Sequence, residues 1–75
     1  MMEEKIIGML AKQFRVETSA INGNTNIVDD LGADSLEIVD MLMAVEENFG
    51  VTISDEEVLT LHTVRDVAEL IESKL

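Results

Sequence analysis

Seventy-five residues with 16 acids against 5 bases, a net charge of −11 and 47% hydrophobic residues describe one small folded domain, not a disordered chain. A domain of this size buries a single thin apolar layer and has little left with which to enclose a deep, dry active site. The charge argues against nucleic-acid and membrane-surface partners, and the absence of cysteine rules out a disulfide framework and leaves the polypeptide without a thiol.

The chain opens Met1-Met2-Glu3-Glu4-Lys5, acidic and not followed by a long apolar run, so neither a signal peptide nor a membrane span is expected. A cytoplasmic monomer without membrane insertion is the default. From about Glu3 to Phe14, the apolar residues Ile6, Ile7, Leu10 and Phe14 recur at helical spacing. A long polar stretch follows, from about Val16 to Ala33. Asn22-Gly23-Asn24 is turn chemistry, and Ile21, Ile27, Val28 and Leu31 are expected to pin the loop to the core. Loops this long inside compact domains are uncommon and often functional.

The second helix is predicted from Ser35 to Phe49, stopped by Gly50. Asp34 can cap it, and Glu37 three residues on completes a capping box worth roughly 1 kcal/mol. A short third helix begins at Ser54, with Glu57 as its box partner and Ile53 and Val58 as a hydrophobic staple. The last helix starts after Thr63 and sets Val64, Val67, Ala68 and Ile71 on one face. No segment reads as a strand. The expected fold is all-α: a small four-helix bundle over residues 1–75, with a long first loop and a short third helix.

At about 100° per residue, Ile38, Met41, Leu42, Val45 and Phe49 form the core stripe of the second helix. Leu36, Met43 and, near the edge, Val39 fall on the other side, among Glu37, Asp40, Glu46 and Glu47. Either this helix is covered on both faces, or these apolar residues are anchors on an exposed face whose charges steer a basic partner. The charge map favours the second, because no Lys or Arg lies between Arg15 and Arg65. Ser35 stands at the head of the same helix, where free N–H groups and the helix dipole favour a phosphate ester. A serine near a cap is ordinarily structural, and its flanking residues decide otherwise.

Asp29-Asp30-Leu31-Gly32-Ala33-Asp34-Ser35-Leu36 resembles the attachment motif of acyl carrier proteins, whose core is Asp-Ser-Leu preceded by Leu-Gly-x. The resemblance continues through Met43-Ala44-Val45-Glu46-Glu47 and Phe49, then Ile53, Asp55-Glu56-Glu57 and Thr63-Val64. It implies a discrete carrier, not an enzyme, with no catalytic residue and no resident metal. In that family a transferase moves 4′-phosphopantetheine from coenzyme A onto a serine hydroxyl, here Ser35, flanked by Asp34 and Leu36. The arm's thiol then holds acyl groups as thioesters. Glu37, Asp40, Glu46 and Glu47 would meet basic patches on the transferase and on fatty acid or polyketide synthesis enzymes, with Leu36 and Met43 as apolar contacts. Fatty acid synthesis is the commonest use, and the mobile Ile, Val, Met and Ala of the core could part to shelter a growing chain.

Three positions depart from the family pattern: Ser54 replaces a usual proline, Asn48 a common acid, and Ile38 a frequent polar residue. Asp34 stands where peptidyl carriers usually have histidine. Readings from other classes compare poorly. A calcium loop starting at Asn22 would need glycine at Ile27 and glutamate at Ala33, leaving only weak divalent binding by Asp29, Asp30, Asp34 and Glu37. A hydrolase would need a base for Ser35, and His62, the one histidine, reads as a surface residue at a helix entry. An acidic interaction module without a prosthetic group is the remaining alternative.

Overall fold

The computed structural model describes residues 2–75. Four α-helices follow one another: α1 (Met2–Phe14), α2 (Ser35–Phe49), α3 (Asp55–Val58) and α4 (Val64–Lys74), with a 3₁₀ turn at Thr18–Ala20 in the first loop. The shortest dimension is 19 Å, about two helix diameters, so the bundle is two layers thick and leaves one face of each helix to water. Among the described residues the single β feature is an isolated antiparallel bridge between Asn26 and Thr63. No described helix is long and apolar enough to cross a membrane.

The core is assembled from the predicted stripes. Ile6 and Leu10 of α1, Met41 and Val45 of α2, and Val64, Val67 and Ile71 of α4 are each at most 2% exposed. Each such side chain contributes about 1.5–3 kcal/mol of burial, against roughly 1 kcal/mol for a helix cap. Packing therefore sets the fold, and the caps set where its elements begin. Ile21 and Ile27 are buried loop anchors as expected, and Leu31 packs against the core. Val28 does not: it is 48% exposed, for a reason given below.

The caps of α2 and α3 fall where the sequence places them, with both halves of each box made. At the far end of α2, Gly50 takes a left-handed conformation (φ 68°) that a side chain would resist, and its N–H closes on the Glu46 carbonyl at 2.9 Å. A third capping box, not foreseen, opens α4: Thr63 Oγ1 accepts from the Asp66 N–H at 3.2 Å. Asp66 in return accepts from the N–H groups of Thr63 and His62, both at 3.0 Å.

The long loop is fastened to this same helix start. The Val64 N–H donates to the Thr25 carbonyl at 3.1 Å, Arg65 N–H to Gly23 at 3.0 Å, and Ile27 N–H to His62 at 2.9 Å. The Arg65 side chain adds bonds to Glu3 (3.0 Å) and Asn24 (2.6 Å). Asn26 then folds the next turn, its Oδ1 accepting from Val28 and Asp29 while its own N–H donates to Asp30.

Two outcomes follow from this architecture. Leu10→Ala should cost about 2–5 kcal/mol in urea unfolding, while Leu36→Ala, with the side chain 76% exposed, should stay within about 0.5 kcal/mol. Bonds from the Thr63 and then the His62 N–H hold the Asp66 carboxyl below its ordinary value of 3.8. The folded state binds that proton less readily than the unfolded chain. Its contribution is therefore complete above the ordinary value and lost as pH falls through the depressed one. Asp66→Asn should lower stability at neutral pH and flatten the acid limb of a stability–pH curve below about pH 4.

Candidate functional site

The loop delivers the chain to the head of α2 in a defined way. Gly32 is left-handed (φ 69°), Ala33 is buried, and the Ala33 N–H bonds to the Ile27 carbonyl at 3.2 Å. Asp34 is extended and acts as the cap: its Oδ1 accepts from the Glu37 N–H at 2.9 Å, and Glu37 Oε1 accepts from the Asp34 N–H at 3.2 Å. Ser35 is consequently the first helical residue, exposed, with the cap already made by its neighbour. The hydroxyl is spared the structural duty that serines at helix starts usually perform. Gln13 of α1 steadies this end by donating to the Glu37 carbonyl at 2.9 Å.

Leu36, Asp40, Met43 and Glu47 are spaced to share one stripe of α2, and all four are exposed. Leu36 is 76% and Met43 54% exposed, with Val39 beside them at 51%. The face is thus open to solvent, and the alternative of a helix covered on both sides is set aside. Glu37 and Glu46 differ from their neighbours: both are half-buried, and both carboxylates accept backbone bonds. Glu37 belongs to the cap, while Glu46 Oε2 accepts from the Ile53 N–H at 2.9 Å. Glu46 therefore holds the α2–α3 connection as well as lying near the charged face. Sequence spacing gave no sign of this, because the partner is a backbone group seven residues away.

Behind the exposed face lies an apolar cavity of about 40 Å³. Ile27 and Val28 of the loop, Ile38, Met41 and Leu42 of α2, and Val58 and Leu61 around α3 line it. Val28 stays half-exposed because it borders this cavity instead of filling it. Ile38, noted as a departure in the sequence, supplies part of the wall. The space holds about three water-sized groups, too little for a long chain without movement of its walls.

Glu57 of α3 accepts from the Ser54 N–H at 2.9 Å through Oε1 and pairs with Lys74 of α4 through Oε2, also at 2.9 Å. The Ser54 bond first, and Lys74 second, hold its carboxyl below the ordinary value. Among the described residues no three of His, Cys, Asp and Glu are grouped to hold a metal ion. Of the acids considered for divalent binding, Asp30, Asp34 and Glu37 are bonded to loop and cap N–H groups. His62 is exposed and precedes the Thr63 cap, and its backbone groups bond to Asp66 and Ile27.

A family model described as the phosphopantetheine attachment site matches residues 4–71. The acyl carrier protein of Syntrophobacter fumaroxidans is 46% identical over 66 residues, covering 88% of this chain and 82% of that one. The acyl carrier protein of Solidesulfovibrio magneticus is 42% identical over 71 residues, covering 95% and 91%. A solved structure from Mycobacterium tuberculosis, described as an acyl carrier protein, superposes with a TM-score of 0.91 at 31% identity over the full length of both chains. Proteins of this kind are carriers, not enzymes, and work with synthesis enzymes and a phosphopantetheinyl transferase. The chain belongs to the acyl carrier proteins, whose prosthetic group is phosphopantetheine.

Proposed function

We propose that Ser35 is the attachment point of 4′-phosphopantetheine and that this chain carries acyl intermediates of fatty acid biosynthesis as a cytoplasmic monomer. One observation carries the assignment of Ser35: its exposed hydroxyl sits at the first position of a 15-residue helix whose cap is already supplied by Asp34. Positive dipole and free N–H groups at that end suit a phosphodiester. The carboxylates of Asp34 and Glu37, neighbours of Ser35 in sequence, are turned to the cap, where each accepts a backbone N–H. When bound, the group supplies a thiol that holds acyl cargo as a thioester, the sulfur that a cysteine-free chain lacks.

The remaining residues divide the work of presentation. Leu36, Val39 and Met43 offer apolar contact to each partner enzyme. Asp40 and Glu47, with Glu37 and Glu46 at the edge, attract basic patches on the transferase and the synthesis enzymes. A carrier must leave each partner quickly, and charge-steered encounters over a small apolar patch combine fast arrival with fast departure. The cavity below α2 supports a further role in sheltering the first carbons of the cargo.

Intact mass after incubation with coenzyme A and a phosphopantetheinyl transferase tests the assignment. The expected result is a gain of one arm, mapped to the peptide holding Ser35 and abolished by Ser35→Ala. Modification elsewhere, or none on the folded wild-type chain, would overturn it. Asp40→Lys and Glu47→Lys should each slow association with the transferase by about tenfold at low salt. That difference should shrink toward 1 M salt, where charges are screened beyond about 3 Å.

A further inference from the structure

The segment 54–61 is tied at both ends and at one point between. At its entry, Glu46 of α2 holds the Ile53 N–H at 2.9 Å. At its exit, the His62 carbonyl accepts from Ile27 at 2.9 Å. Between these anchors runs α3, only four residues long and with none of them buried, followed by a turn in which Thr60 Oγ1 bonds back to Glu57. Its inward residues Val58 and Leu61 form the outer wall of the apolar cavity. A side-chain tie from another helix crosses to it: Lys74, in the last turn of α4, pairs with Glu57 at 2.9 Å. Both side chains are partly shielded, 25% and 32% exposed, which makes the pair stronger than one freely solvated.

We propose that residues 54–61 form a strap over the apolar cavity, that Lys74 latches it shut through Glu57, and that Glu46 fixes its hinge. The inference rests on the reading of the cavity as the place where cargo is sheltered. A space of about 40 Å³ admits only a short stub, so longer cargo requires Val58 and Leu61 to part from Met41 and Leu42. The hinge bond keeps the strap in register while it moves. The latch sets how often it opens, so Lys74 is a positioning residue for cargo it never touches.

Amide hydrogen exchange on the chain without its prosthetic group tests the latch. Lys74→Met, which keeps the apolar stem, and Glu57→Gln, which preserves the capping box, should each speed exchange at residues 58–61 by about 2- to 5-fold. The amides of Leu10 and Val67 should be unchanged. Lys74→Arg should restore protection, and 1 M salt should loosen the wild-type strap without further effect on Lys74→Met. Unchanged exchange at 58–61 in Lys74→Met would overturn the latch. Titration with 1-octanol, followed at the Met41 methyl, then tests the gate: entry should be about 2- to 5-fold faster in Lys74→Met. Equal entry rates, or no saturable response in either protein, would overturn it. Neither measurement uses the prosthetic group, so a chain that cannot be modified at Ser35 sinks the attachment assignment and leaves the strap standing.

Discussion

The fold depends on how a long loop without a sheet satisfies its own backbone. Buried N–H and carbonyl groups must find partners, and a helix start carries N–H groups that its own turns cannot use. These two needs cancel. The carbonyls of Thr25 and Gly23 take the N–H groups of Val64 and Arg65, the first two of α4, and Thr63 takes the third. Everything downstream in the loop is placed by that junction: Ile27 enters the core, Asn26 closes the next turn, and the chain arrives at Asp34 in the extended conformation a cap requires. The site at the head of α2 is thus held by the opposite end of the sequence, through backbone bonds that tolerate many side chains.

Given that placement, α2 serves two masters with two faces. Met41 and Val45 lock it into the core, while Leu36, Val39 and Met43 remain in water. In a bundle two layers thick, no element is left over to cover the second face. The acids around it are not equivalent. Asp40 and Glu47 are exposed, whereas Glu37 and Glu46 are half-buried and engaged by backbone N–H groups, so turning either outward would cost the cap or the α2–α3 connection.

Much of this was legible in the residues. The limits of α2, its Asp34 cap and Gly50 stop, and the core stripes of α1 and α4 follow from periodicity and end signals, because those signals are local. The Thr63–Asp66 box is masked in the sequence because an aspartate stands where the usual partner is the longer glutamate or glutamine. The end of α1 falls at Phe14, as the apolar spacing predicts, but the way the helix closes carries no cue. Arg15 adopts the left-handed conformation (φ 56°) that glycine would ordinarily announce, and the Val16 N–H closes back on the Ala11 carbonyl at 3.1 Å. Val28 misleads for a different reason: its apolar character matches a cavity edge formed by residues distant in sequence. The bonds of Gln13 to α2 and of Glu46 to Ile53 are likewise products of tertiary placement.

The open face of α2 also bears on how molecules of this protein treat one another. Three neighbouring apolar side chains on a surface would ordinarily invite identical chains to stick together as their concentration rises. Here every copy carries eleven excess negative charges, and the stretch from residue 16 to 64 offers no cation with which a sister molecule could pair. Like repels like, so the charge opposes the self-association that the apolar patch alone would favour. The same field would draw a positively charged surface toward the chain, and dissolved salt weakens the repulsion and the attraction together.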